Sequence, residues 1–353
     1  MFDPTNVNLD TASAAEVVCY LNRDGNDYNG HLGARISSIF VIGLVSSAAT
    51  FFPVMARRAP RLRIPLYVYL FARYFGAGVI IATAFVHLLD PAYGEIGPNT
   101  CVGMTGSWAE YSWPPAIILA SVTAIFLLDF AAERYVERKY GVCREDPEPI
   151  ITHRDAGDES QPVNTDAKKD VVKDIEAVES GESEDEAALQ RSFQQQFAAF
   201  LILEFGVIFH SVIIGLNLGV AGSEFATLYP VLVFHQSFEG LGIGARMSAI
   251  PFKRTSILPW LLCTLYGLTT PISIAIGLGV RTTYNPNSFT ANVVSGVLDS
   301  ISAGILVYTG LVELLARDFI FDPHRTQDSK RLTFMIVSLL LGAGIMALLG
   351  KWA

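Results

Sequence analysis

The stretch HQSFEG, residues 235–240, places a histidine, a glutamine and a glutamate inside a run that is otherwise apolar enough to cross a lipid bilayer. An ionisable side chain at the bilayer centre costs about 2.5–3.5 kcal/mol on insertion scales. Such residues are usually kept where they face the interior of a protein and bind a partner. The stretch therefore predicts a polar site inside a membrane protein.

The composition of the whole chain agrees with this interpretation. Of its 353 residues, 51% are hydrophobic and only 17% are charged, which is too apolar for an ordinary soluble domain. Lipid offers no water to backbone polar groups, so long apolar runs must form helices. We predict an all-α membrane protein with eight transmembrane helices of about 20 residues each, at residues 36–55, 66–89, 115–132, 197–220, 228–250, 257–280, 293–316 and 332–352.

Basic residues predict how these helices are oriented. Cationic flanks resist translocation, so connections rich in Lys and Arg stay in the cytosol. The alternate connections carry few bases, which predicts that both termini are extracellular. The basic residues that flank the predicted cytosolic ends are Arg57, Arg58, Arg61, Arg63, Arg134, Arg138, Lys139, Arg144, Arg246, Lys253, Arg254, Arg317, Arg325, Lys330 and Arg331.

The chain divides into four predicted parts. Residues 1–35 form an extracellular segment, 36–139 hold helices one to three, 140–192 form a cytosolic loop, and 193–353 hold helices four to eight. The net charge of -9 belongs to the loop, because the rest of the chain is nearly neutral. A strongly charged segment with almost no aromatic residues predicts disorder. No basic patch interleaved with aromatic residues occurs, so we expect no nucleic-acid partner.

Two cysteines lie where a disulfide could form. Cys19 and Cys101 both fall in segments predicted to be extracellular, where disulfides form and persist. The sequence does not decide whether these two cysteines form a disulfide. The first 30 residues are polar and acidic, so we expect no cleavable signal peptide.

Two of the predicted helices share a pattern. HSVIIGLNLG at 210–219 and HQSFEGLGIG at 235–244 both read H-x-x-x-x-G-L-x-[LI]-G. The two helices run in opposite directions, which is typical of an inverted repeat with a site near the middle of the membrane. Small residues every four positions let helices approach closely. We expect the four glycines to bring the two histidines together: Gly215, Gly219, Gly240 and Gly244.

The polar residues of these helices predict a metal site. His235 and Glu239 are four positions apart and share one helical face. With His210 from the neighbouring helix they form a set of two nitrogens and one oxygen, which suits zinc, ferrous iron or manganese. Three ligands leave the site open, as a site that must release its ion requires. The structural alternative is an intramembrane histidine that only hydrogen-bonds to a neighbouring helix.

Further polar residues mark the predicted outer end of the path. His87 and Asp90 lie at the outer end of the second span, and Asp299 near that of the seventh. An acidic mouth raises the local concentration of cations, so we predict that these residues form an entrance. The alternative for Asp90 is an interfacial helix cap, and a structural role is also open for Asp299.

Other polar residues lie beside the site or toward the cytosol. Glu204 and Glu313 could accept an ion that leaves, although pairing of either one with Arg73 or Arg246 is an equal alternative. The remaining candidates for supporting the site or the exit are Ser211, Asn217 and Gln236.

The paired motifs at 210–219 and 235–244 resemble the fourth- and fifth-span signatures of the ZIP (Zrt/Irt-like) divalent metal transporters. ATAFVHLLDPAY at 82–93 and SAGILVYTGLVELLARDF at 302–319 are similar to the second and seventh spans of that family, in the style of its fungal plasma-membrane zinc uptake members. The resemblance implies a 3+2+3 inverted-repeat bundle of eight helices with both termini extracellular. It also implies inward zinc transport by movement of one helix group against another.

The sequence departs at four positions from the members of this family that hold two metals. Some members hold two adjacent metals, but Ile214 stands here where those members have a glutamate. Ser211 and Gln236 replace an asparagine and an aspartate, and Thr270 stands in place of a second glutamate. Isoleucine cannot bind zinc, so we expect one transport site.

We therefore predict a transporter, not an enzyme, that moves zinc across the plasma membrane into the cytosol. The sequence does not separate zinc from three other candidate substrates, Fe²⁺, Mn²⁺ and Cd²⁺. The expected partners are the divalent ion and the lipid bilayer, and a homodimer is open. Two alternatives remain. One is an intramembrane zinc hydrolase, which lacks the H-E-x-x-H helix typical of metalloproteases, and the other is a metal-gated channel or sensor.

Overall fold

The computed structural model describes residues 8, 10–21, 28–58, 65–140, 176–321 and 326–351. Every regular element in these ranges is helical, which confirms the all-α prediction. Two π-helical segments, Thr83–Leu89 and Thr309–Phe321, and a short 3₁₀ turn, Gly106–Trp108, accompany the α-helices. The described α-helices are α1 (Ala14–Leu21), α2 (Leu32–Arg58), α3 (Leu66–Ala82), α4 (Asp90–Ile96), α5 (Trp113–Tyr140), α6 (Glu176–Val220), α7 (Phe225–Ala249), α8 (Leu258–Val280), α9 (Phe289–Tyr308) and α10 (Ser329–Leu349).

Within the described ranges, seven helices are long and apolar enough to cross a membrane. They coincide with seven of the eight predicted spans, and they confirm a multi-pass membrane protein. The remaining predicted span, 228–250, is the fifth along the chain. It falls on α7, which carries His235, Gln236 and Glu239 along its middle. The count of eight crossings and the 3+2+3 arrangement stay predictions.

Most of the predicted loop at 140–192 cannot be compared with the structure, because residues 141–175 lie outside the described ranges. The helix α5 ends at Tyr140 and α6 begins at Glu176. The division of the chain into four parts stays a prediction.

The polar helix α7 is enclosed by more apolar ones. It packs against α2 and α3, while α2 also packs against α8, and α3 against α10. A buried cluster, which includes Ile42, Leu232 and Ile274, joins α2, α7 and α8. This enclosure keeps the middle of α7 away from lipid.

Glycines allow the helices to pack closely. The sequence suggests that the glycines of α6 and α7 face each other, but in the structure they face other helices. A Cβ atom on Gly215 would lie 2.7 Å from the Cβ of Ser273 on α8, and a Cβ on Gly244 would overlap the carbonyl of Thr50 on α2. The close approach is thus confirmed, and the expected partners are wrong. The glycines let α6 pack on α8 and α7 pack on α2, because each row of glycines lies on a different face from the motif histidine of its helix, His210 or His235.

A disulfide joins Cys19 of α1 to Cys101 in the connection that follows α4. The bridge left open by the sequence is therefore present. It ties the segment before α2 to the end of the second apolar helix, so both lie on one side of the membrane.

A buried arginine closes the end of α6. Arg35 on α2 is fully buried, and its guanidinium donates hydrogen bonds to the carbonyls of Leu218, Gly219 and Ala221. The same group lies 4.5 Å from the ring centre of Phe225. The last carbonyls of a helix have no partner within the helix, so Arg35 supplies donors that α6 itself lacks.

We expect Arg35→Met to lower the thermal unfolding midpoint of the detergent-purified protein by several degrees. The substitution keeps most of the apolar stem but leaves buried carbonyls without donors, at about 1–3 kcal/mol each. A matched control is Arg331→Met, because Arg331 is half exposed in an ion pair with Asp328. Equal midpoints for the two variants would contradict this role of Arg35.

Candidate metal centre

Three side chains from two helices converge in the middle of the bundle. His210 comes from α6, and His235 and Glu239 come from successive turns of α7. The Nε2 atoms of the two histidines are 3.1 Å apart, and Nε2 of His235 is 3.5 Å from Oε1 of Glu239. One donor atom from each residue can be chosen so that all three lie within 4.8 Å of one another.

The three donors are shut off from solvent. His235 and Glu239 are fully buried, and His210 is 2% exposed. The hydroxyl of Thr83 and the Nε2 atom of His235 lie beside the carboxylate of Glu239, and Nδ1 of His235 has no hydrogen-bond partner within the described part of the chain. A buried carboxylate without a cationic partner is costly. A cation placed between the three residues would compensate its charge.

The spacing of the donors fits one divalent ion. Zinc binds histidine nitrogen at about 2.0–2.1 Å in tetrahedral geometry, which requires about 3.3 Å between two ligand atoms. The separations of 3.1 Å and 3.5 Å at His235 lie on either side of this value. All three donor atoms lie within 4.8 Å of one another, so a shift that brings His210 and Glu239 closer together would let the three side chains share a single ion.

His87 lies closer to this centre than the sequence suggests. It is on the π-helical segment after α3, and its ring packs edge-on against the ring of His235 with 4.7 Å between the ring centres. Its Nε2 atom is 3.1 Å from the carbonyl oxygen of Met346 on α10. The wider π-helical turn directs His87 inward, a feature that residue spacing in an ideal α-helix does not indicate.

The three residues predicted at the entrance lie in different surroundings. His87 is buried beside His235, Asp90 is exposed at the start of α4, and Asp299 is buried on α9. Asp299 shares a side-chain hydrogen bond with Glu95, near the end of α4. The sequence pattern does not indicate Glu95, because this glutamate lies beyond the end of the second predicted span at residue 89, where a carboxylate is usually solvated. The entrance role of the three residues stays a prediction.

The polar residues beside the site are buried to different degrees. Ser211 and Gln236 are fully buried, while Asn217 is half buried near the end of α6. The Gln236 side-chain oxygen accepts a hydrogen bond from the hydroxyl of Tyr266 at 3.3 Å. Ser211 Oγ has no partner among the described residues. Ser211 and Gln236 immediately follow His210 and His235 in sequence, and their role in supporting the site stays a prediction.

The two glutamates predicted toward the cytosol also differ. Glu204 is 3% exposed, and both of its carboxylate oxygens lack a hydrogen-bond partner within the described ranges. Glu313 accepts a hydrogen bond from Arg317 at 2.6 Å. Arg73, an alternative partner for either glutamate, instead forms an ion pair with Asp318 at 2.8 Å.

These features define a multi-pass helical membrane protein with a buried cluster of two histidines and a glutamate that could hold a metal ion. The chain belongs to the ZIP zinc transporter family, whose model matches residues 32–350. The family description and the names of the relatives make the chain a zinc transporter and not an enzyme.

Several relatives are similar over nearly their whole length. The chain is 58% identical to zinc-regulated transporter 1 of Saccharomyces cerevisiae, with 100% of this chain and 97% of the relative covered. It is 41% identical to zinc-regulated transporter 1 of Schizosaccharomyces pombe, with 98% and 92% covered. It is also 34% identical to zinc transporter 9 of Oryza sativa, with 97% and 95% covered.

Proposed function

We propose that this protein carries zinc across the plasma membrane into the cytosol through a single site formed by His210, His235 and Glu239. The observation that carries the proposal is the convergence of the three buried donors at 3.1 Å and 3.5 Å. The relatives named as zinc transporters support zinc as the cargo.

The site suits a carrier because it offers a metal ion only three protein ligands. Structural zinc sites usually have four protein ligands, and a site with three keeps one position open. The donors are 0–2% exposed, so an ion can reach or leave them only when helices move. In this proposal, rearrangement exposes the site first to one side of the membrane and then to the other.

Charge and redox chemistry support inward transport. Basic connections are expected in the cytosol, and the Cys19–Cys101 bridge is expected in an oxidising compartment. In this proposal the termini are therefore extracellular and residues 140–192 are cytosolic. His87, Asp90 and Asp299 would then lie on the entry side, and Glu204 and Glu313 on the exit side.

Other divalent ions are candidates for the same site. Two imidazole nitrogens and a carboxylate oxygen also suit Fe²⁺, Mn²⁺ and Cd²⁺ by ligand type. The proposal for these ions rests on the donor chemistry alone.

The test is zinc entry into liposomes that contain the purified protein and an enclosed zinc-sensitive dye. We expect saturable entry in proteoliposomes and none above background in protein-free liposomes. Competition with Fe²⁺, Mn²⁺ and Cd²⁺ measures selectivity in the same assay. Absence of zinc entry from a well-folded preparation would contradict transport, and a measurable single-channel current in planar bilayers would contradict a carrier.

A further inference from the structure

A pocket at one end of the bundle plays no part in the proposed transport path. Its volume is about 430 Å³, within the range of about 300–1,000 Å³ typical of small-molecule sites. It lies where α2 ends, α7 ends and α8 begins. The residues that line it are Val54, Arg57, Arg58, Met247, Ser248, Ile250, Phe252, Arg254 and Pro259.

The charge of the pocket is strongly positive. Three arginines face it, Arg57 and Arg58 from the last turn of α2 and Arg254 from the connection before α8, and none of the nine described lining residues is acidic. Arg57 and Arg254 have no ion pair or hydrogen bond to another described residue. Such a lining repels a divalent cation and attracts an anion, so the pocket is not an exit for zinc.

Arg58 gives the pocket a fixed frame. Its guanidinium donates hydrogen bonds to the carbonyl of Ser256 at 2.9 Å and to the carbonyl of Lys253 at 3.3 Å. These two carbonyls flank Arg254 in the chain. Arg58 therefore ties the connection that carries Arg254 to the end of α2, which keeps the guanidinium groups around one space.

Apart from the three arginines and Ser248, the residues that line the pocket are apolar. The cavity therefore combines guanidinium groups with apolar side chains, where α2 and α7 end and α8 begins. The apolar lining residues are Val54, Met247, Ile250, Phe252 and Pro259. A soluble anion would use only the guanidinium groups of this cavity.

We propose that this pocket binds an anionic phospholipid whose head group carries an exposed phosphate. Guanidinium groups match phosphate oxygens with paired hydrogen bonds, and basic pockets between membrane helices are suited to such head groups. The apolar walls contact the glycerol and the first part of the acyl chains. The inner leaflet as the source of the lipid rests on the orientation proposed above, while the binding itself does not.

The test uses the full chain purified in mild detergent, with native mass spectrometry to measure binding of a short-chain phosphatidylinositol phosphate. Each arginine near an anionic lipid contributes about fivefold in affinity. We therefore expect Arg57→Gln with Arg254→Gln to weaken binding about 25-fold, and Arg57→Lys with Arg254→Lys to weaken it less. Lys330→Gln with Arg331→Gln, in the first turn of α10, is the matched control and should bind normally.

Two results would overturn the proposal. One is unchanged affinity in the Arg57→Gln, Arg254→Gln variant, and the other is free inositol phosphate binding as tightly as the lipid, which would identify a soluble-anion site. Where the double variant is not monodisperse, Arg254→Gln alone, in the exposed connection, replaces it with an expected loss of about fivefold. His210→Ala should bind the lipid normally, so a failure of the transport proposal is distinguishable from a failure of this one.

Discussion

Replacing His235 by alanine is expected to lower zinc uptake by more than about 100-fold. Among the three donors, His235 is the one whose Nε2 lies close to both of the others, 3.1 Å from His210 and 3.5 Å from Glu239. Loss of residues that merely orient a metal ligand costs about 10–100-fold in affinity or activity, and loss of a ligand should cost more. Initial rates of radioactive zinc uptake, measured in cells that lack their own importer, test this expectation.

Further variants distinguish loss of the metal site from a general loss of folding or expression. His210→Ala and Glu239→Gln should show a similar loss, with Glu239→Gln keeping the volume of the side chain. His31→Ala should retain normal uptake, because His31 is exposed just before α2. All rates are divided by the amount of protein at the cell surface. Undiminished uptake in the His235→Ala variant would exclude the proposed site.

Adding a single methyl group at Gly244 is expected to destabilise the bundle. The Cβ atom of Gly244→Ala would overlap the backbone carbonyl of Thr50 on α2, and neither backbone can move without separating α2 from α7. Overpacking of this kind costs about 1–3 kcal/mol, so we expect a thermal unfolding midpoint several degrees lower and less protein at the cell surface.

A glycine elsewhere in the same bundle provides a matched control. Gly279 lies near the end of α8, and a Cβ atom there would meet nothing within 4 Å. Alanine favours a helix by about 1 kcal/mol over glycine, so Gly279→Ala should leave the unfolding midpoint unchanged or raise it. The identical chemical change is thus expected to have opposite effects at the two positions. A Gly244→Ala protein as stable as the wild type would show that α2 and α7 are not in close contact there.

Much of the candidate site follows from local spacing. Residues four apart on a helix lie one turn apart, so the nearness of His235 and Glu239 needs no tertiary information. The repeated motif then indicates His210 as a third member, and the structure brings the three donors within 4.8 Å. The all-helical fold follows equally directly, because the physics of lipid permits few alternatives for long apolar runs.

Residue spacing does not predict the direction of a side chain where the helix geometry changes. His87 and Asp90 are three positions apart, which places them on one face of an ideal α-helix. The chain is π-helical at Thr83–Leu89, and there His87 faces His235 while Asp90 is exposed. Extra residues per turn rotate the following side chains about the helix axis, and the sequence carries no simple signal of that rotation.

The sequence by itself determined that the chain is a helical membrane protein and that a histidine and a glutamate share a face of one helix, since both depend on hydropathy and on the period of a single helix. Only the tertiary structure decided which helices the glycines contact, that Arg35 caps α6, and that Glu95 meets Asp299. These contacts join residues far apart in the chain. Their geometry depends on how the faces of different helices pack together, which residue spacing within one helix does not specify.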